Sequence, residues 1–158
     1  MKRSLLFGTT ALLLTAASSQ TVIIDEDFDT YTEGSGMSVN DPANWAIWSG
    51  GADQVVSTAH ALSGTQGLAC ISTSAANGGP GDQLLLLGDQ TAGRFALTWS
   101  MYIPSGKGGY FNIQHAEDVG TPSFAAEVIF ADTVVTVTAN NADATGTFPY
   151  DAWFSVVV

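Results

Sequence analysis

Residues 94–114 read RFALTWSMYIPSGKGGYFNIQ, and their alternation decides the fold. In Arg94–Ile103, the side chains of Phe95, Leu97, Trp99, Met101 and Ile103 fall on one face of an extended chain. Arg94, Ala96, Thr98, Ser100 and Tyr102 fall on the other. A period of two marks a half-buried strand and sends the first set into a core. Gly109–His115 repeats the pattern, with Phe111 and Ile113 on one side and Tyr110, Asn112 and Gln114 on the other. The link Pro104–Gly109, PSGKGG, is short and rich in turn formers, so the two strands are expected to pair as a hairpin. Their polar faces then merge into one surface carrying Arg94, Thr98, Tyr102, Tyr110, Asn112 and Gln114. Phe124–Phe130 adds Glu127 to that surface, because Phe124, Ala126, Val128 and Phe130 take the opposite side.

The same grammar runs outward in both directions. Further strands are expected at Thr21–Phe28, Trp45–Ser49, Gln54–Ser57, Gly67–Ser72, Gln83–Leu87, Thr133–Thr138 and Trp153–Val158. Between them lie turn-rich pieces: Glu33–Gly36, Ser49–Asp53, Ala75–Asp82 and Asn140–Gly146. Helical periodicity is nearly absent, and turn signals recur about every 8–12 residues, the spacing of an all-β sandwich. The closing WFSVVV is an apolar strand that needs a ladder partner, and no polar tail follows it. This leads us to expect a chain cut before the sandwich is complete; the alternative is a natural C-terminus docked as a central strand.

The composition agrees. Of 158 residues, 46% are hydrophobic and 10% aromatic, with four Trp, eight Phe and 17 Gly. That is too apolar for a disordered chain. Four basic residues against fifteen acidic ones leave a net charge of −11, which excludes a general nucleic-acid binder. The start, MKRSLLFGTTALLLTAASSQ, has the plan of a secretory signal peptide: a basic Lys2-Arg3, an apolar run Leu5–Ala17, then small residues. The apolar run is too short to span a bilayer, and no later stretch is longer. Cleavage is expected after Ser19, with Ala17 as the other candidate, which makes 1–19 the signal and 20–158 the folded domain. The mature chain would keep two basic side chains, Arg94 and Lys107, against fifteen acidic ones, a charge of −13. A secreted or cell-surface location follows. Cys70, the single cysteine, has no internal disulfide partner and reads as a small core residue within LACIS.

Several of these segments resemble a known family. DEDFDTYTEG (25–34), Trp45 and Trp48 in NWAIWSG, ALSGTQGLAC (61–70) and WSMYIPSGKGGYFNIQ (99–114) are similar to concanavalin A-like jelly-roll domains. The nearest likeness is to the lectin- or laminin-G-like domains of secreted bacterial proteins, many of which end in a sorting domain for type IX secretion. FPYDAWFSVVV (148–158) looks like the family strand that precedes a further hairpin. The resemblance implies an antiparallel jelly-roll β-sandwich, concanavalin A-like and incomplete at its C-terminus. It does not decide function, since the superfamily includes lectins, glycosidases, polysaccharide lyases and adhesive modules.

The expected site is the polar face with Arg94, Tyr102, Tyr110, Asn112, Gln114 and Glu127. Aromatic rings stack on sugar rings, while amides and carboxylates bond hydroxyls; the plain alternative is an ordinary solvated sheet face. The glycosidases of the superfamily carry Glu-x-Asp-x-x-Glu or Glu-x-Asp-x-Glu strands. The four Glu of this chain, at 26, 33, 117 and 127, show no such spacing. Lyase-like members use Gln-x-His, whereas Gln114 and His115 are adjacent and face opposite ways. No zinc-type cluster, Gly-x-Ser-x-Gly elbow or phosphate loop is present. Asp25, Glu26, Asp27 and Asp29 form a dense run that solvates an edge strand or lends oxygens to a structural calcium ion. Trp45 and Trp48 are assigned to packing. These residues point to a non-catalytic carbohydrate-binding or adhesion module with an extracellular glycan as partner. The alternatives are a polysaccharide-degrading enzyme with catalytic residues partly in a missing segment, and an inert spacer.

Overall fold

The computed structural model describes residues 21–48, 51–71, 81–116 and 123–158. The expected signal peptide, its cleavage site and Glu117 lie outside the described residues. The chain is all-β; the described residues form ten strands and one helical turn, α1 at Met37–Asn40. The strands are β1 Trp45–Ile47, β2 Val55–Ser57, β3 Gly67–Ala69, β4 Gln83–Leu85, β5 Thr98–Tyr102, β6 Gly109–Gln114, β7 Phe124–Ala131, β8 Val134–Ala139, β9 Ala142–Thr147 and β10 Trp153–Val157. Every pairing is antiparallel: β1 with β4, β2 with β3, β5 with β10, and a four-stranded sheet in the order β6-β7-β8-β9. Among the described residues no helix is long and apolar enough to cross a membrane.

The four-stranded sheet is a meander built on two tight turns. Asp132-Thr133 joins β7 to β8 and Asn140-Asn141 joins β8 to β9, all four with positive φ between 51° and 66°. Two such residues in a row make a type I′ turn, whose twist matches that of the flanking strands. Asn and Asp tolerate this conformation because their short polar side chains bond locally.

The core lies between this sheet and the β5–β10 pair. Ile103, Val128, Phe130 and Phe148 are buried together, and Met101, Phe111, Val135, Val137, Tyr150, Phe154 and Val156 pack against them. Phe130 sits at the centre of an aromatic cluster, with ring centroids 5.3 Å from Phe148, 5.6 Å from Phe154 and 6.1 Å from Phe111. Trp99 meets Phe111 edge to face at 4.6 Å. The two layers, with apolar sides facing, are compatible with a β-sandwich. An open apolar groove of about 450 Å³ remains between them, walled by Phe111, Val137, Phe148 and Val156.

Polar side chains organise the N-terminal half. Gln54 is 4% exposed and ties three pieces of chain: Ile71 N–H donates to its Oε1, its Nε2 donates to Ala52 O, and its own N–H donates to Gln83 Oε1. Buried Gln66 donates from Nε2 to the carbonyls of Phe28, Asp29 and Tyr31. The Asp29 carboxylate accepts from Thr65 N–H, Thr65 Oγ1 and Gln66 N–H, and the Thr65 amide above all holds its carboxyl below the usual carboxylate range.

Several sequence expectations are corrected. Thr21–Phe28 forms no strand; its carboxylates bend the chain, with Glu26 accepting from Phe28 N–H and Tyr31 Oη and Asp27 accepting from Asp29 N–H. The strand expected from Arg94 begins at Thr98, and Phe95, assigned to the core, is 54% exposed. Leu97, just before β5, exchanges both backbone bonds with Val158. Asn140–Gly146, read as a turn, is mostly β9; its small residues are exposed throughout and gave no alternation to see. Cys70, assigned to the core, is exposed immediately after β3.

The largest correction concerns the expected hairpin. β5 and β6 do not pair: β5 bonds β10, and β6 bonds β7. The link between them turns sharply, with Lys107 N–H donating to Pro104 O and Gly106 at φ 72°, and it is anchored where Ser105 N–H and Oγ donate to Asp151. It carries the chain from one layer to the other. Both apolar faces therefore point at the same core and the two polar faces point away from each other.

Candidate functional site

The two-residue repeat and the register place the site on the outer face of the four-stranded sheet. Asn112 lies opposite Glu127 and Tyr110 opposite Ile129, while Phe111 and Val128, between them, face the core. Across β7 and β8, Glu127 is paired with Thr138 and Ile129 with Thr136. Across β8 and β9, Thr138 is paired with Asp143 and Thr136 with Thr145. Cross-strand neighbours share a face, so Tyr110, Asn112, Gln114, Glu127, Thr136, Thr138, Asp143 and Thr145 form one polar surface.

Its centre is bonded. Tyr110 Oη donates to Glu127 Oε1 at 3.0 Å, and Asn112 Nδ2 donates to Tyr110 Oη at 3.1 Å. The phenol thus donates a hydrogen bond to a carboxylate while accepting one from an amide. At the far edge Thr138 Oγ1 donates to Asp143 Oδ1 at 2.8 Å. Gln114, next along β6, has a buried Oε1 with no hydrogen-bond partner among the described residues. An unfilled buried acceptor costs about 1–3 kcal/mol, so this atom marks where a donor is wanted. The register shifts here, Ile113 lying opposite Ala126 and Gln114 opposite Phe124, which leaves Ala125 of β7 as the extra residue of a bulge.

The surroundings hold the Tyr110 phenol neutral. Burial first, then the bond to Glu127 and the charges of Glu127 and Asp82, outweigh the Asn112 bond and push its pKa up to about 12. Tyr31 rises to about 12 as well, chiefly through its bond to Glu26. Both phenols bind their protons more tightly folded than unfolded. Their contribution to stability is complete below pH 10 and is lost as pH rises through about 12. In a spectroscopic titration of phenolate formation, Tyr110→Phe removes amplitude near pH 12. Loss of amplitude near pH 10 instead contradicts the bonded arrangement.

Of the six residues expected at the site, four share this face: Tyr110, Asn112, Gln114 and Glu127. Arg94 and Tyr102 do not. Arg94 is exposed in the irregular stretch before β5. Tyr102 is on the outer side of the β5–β10 layer, where His60 stacks on it at 4.1 Å and Trp153 leans against it at 5.7 Å. The merged surface is thus split in two by the core. Thr136, Thr138, Asp143 and Thr145 were not anticipated. The alternation of Val135, Thr136, Val137 and Thr138 carried the signal for the first two, whereas Asp143 and Thr145 sit in a strand without apolar residues.

In the acidic run at 25–29, Glu26 and Asp27 accept local bonds and Asp29 accepts from Thr65 and Gln66; among the described residues no group of three or more His, Cys, Asp or Glu is placed to hold a metal ion. The chain matches no family model, no curated protein and no solved structure.

Proposed function

We propose that this chain is a secreted or cell-surface carbohydrate-binding module that holds an extracellular glycan without cleaving it, on a β-sandwich of concanavalin A-like jelly-roll topology. The observation that carries the reading is the Tyr110–Asn112–Glu127 cluster beside the unpartnered Gln114 oxygen. An aromatic ring, two amides and a carboxylate on a rigid sheet suit a sugar: the ring stacks on its apolar side, and the polar groups meet its hydroxyls. The surface is a sheet face and not a deep cleft, so single-site affinity is low and useful retention comes from many sites along a polymer. The secretory character of the first nineteen residues and the acidic composition support the extracellular part of the proposal.

Affinity electrophoresis through gels containing a neutral β-glucan, a mannan or a soluble chitin derivative tests it. At least one polymer retards the wild type, and Tyr110→Ala together with Asn112→Ala abolishes the retardation while the variant stays folded by circular dichroism. Equal migration in every gel, or release of reducing ends from any of them, contradicts the proposal.

A further inference from the structure

The bonding pattern on this face carries a preference for one class of glycan. Among the described residues Glu127 receives one side-chain hydrogen bond, from the Tyr110 phenol to Oε1, so its second oxygen is left for a ligand. Gln114 Oε1 is buried and has no partner among the described residues. The Tyr110 O–H is already engaged as a donor to Glu127. The capacity left open to a ligand beside Tyr110 is therefore the second carboxylate oxygen of Glu127, an acceptor. Asp143 adds a second negative charge across the sheet, and the charge of Asp82 reaches Tyr110.

No positive side chain offsets them on this face. Beyond the first twenty residues the only Lys and Arg are Arg94 and Lys107. Arg94 precedes β5, and Lys107 is exposed in the turn between the layers. His60 is stacked on Tyr102 of the other layer, and His115 follows the end of β6. A polyuronate or sulfated glycan would bring like charge to like charge. A neutral glycan supplies hydroxyl donors but leaves the carboxylate unneutralised. A sugar ring bearing an ammonium supplies both a strong donor and the opposite charge, giving a charge-assisted bond.

We infer that the Tyr110–Glu127 face selects polymers of hexosamine with free, protonated ring amines over their acetylated and anionic counterparts. The inference rests on the glycan-binding reading and specifies its ligand. Binding is measured on the full chain at mildly acid pH, where amines are protonated and carboxylates still ionised. The probes are a glucosamine hexamer, its fully N-acetylated counterpart and an oligogalacturonate. The free-amine hexamer binds about tenfold more tightly than the acetylated one, the galacturonate binds most weakly, and the amine advantage shrinks as salt is raised. Glu127→Gln brings the free-amine and acetylated hexamers to equal affinity. Asp89→Asn, an equal charge change at an exposed residue outside the sheet, leaves the advantage in place. Equal binding of the amine and acetylated hexamers overturns the selectivity and spares the glycan-binding reading. An equal loss in Asp89→Asn also overturns it, because the attraction is then diffuse. Failure of all three oligomers to bind overturns both.

Discussion

Phe130→Ala destabilises the protein by about 3–5 kcal/mol, the cost of emptying a buried aromatic site that its neighbours cannot refill. Phe130 is 4% exposed and touches three further rings, Phe111, Phe148 and Phe154, which come from three different segments. It is the point at which the four-stranded sheet meets β10. The cluster has four buried members, so the loss is shared by few contacts. A domain of this size has about 5–15 kcal/mol in hand, so the variant is left close to its unfolding limit. Urea denaturation shows a lower midpoint with an unchanged slope, while Phe130→Leu, which retains most of the volume, costs about 1–2 kcal/mol. A loss below about 1 kcal/mol for the alanine variant would mean that Phe130 is not between two layers.

Gln54→Leu is expected to cost about 2–4 kcal/mol even though it keeps the volume and adds apolar surface. Leucine cannot accept from Ile71 N–H or donate to Ala52 O, and the site has no water-facing route by which these groups could be satisfied, since Gln54 is 4% exposed. The surrounding backbone is fitted to the amide. A Cβ at Gly81 would stand 2.2 Å from Gln54 Nε2 and 2.4 Å from Ile71 O, so no other residue fits there without displacing the bond. Met37 N–H also donates to the Gln54 carbonyl, which ties α1 to the same point. Gln54→Glu keeps the acceptor for Ile71 but buries a charge, and it is expected to fare worse at neutral pH than in acid. A neutral result for Gln54→Leu would show that the buried amide is dispensable to the join between β3 and β4.

The contrast between what could be read from the chain and what could not has a physical origin. Alternation tells which side chains share a face, and it placed Met101, Ile103, Phe111, Val128 and Phe130 inside and Tyr110, Asn112, Gln114 and Glu127 outside. It does not tell which strand lies beside which. Pro104–Gly109 has the composition of a hairpin turn, but the same short, Gly-rich link also serves a crossing between layers, and burying Met101 and Ile103 against Phe111 and Phe130 favours the crossing. That one difference moved Tyr102 and Arg94 to the far side of the core. β9 was illegible for the opposite reason: Ala142–Thr147 is held by its ladder to β8 and an Asn140-Asn141 turn, with no apolar face to betray it. Phe95 misled because it precedes the first residue of β5 and is exposed, so its place in the alternation did not bury it.

The central claim is that sugar is met by the outer face of β6–β9 and by no other surface. Backbone and side-chain NMR shifts followed during titration with the hexamers test it most directly. The account predicts shifts concentrated at Tyr110, Asn112, Gln114, Glu127 and Thr138, with Tyr102, Trp153 and His60 unmoved. Shifts centred on the Tyr102–His60–Trp153 cluster, or none at saturating sugar, contradict it.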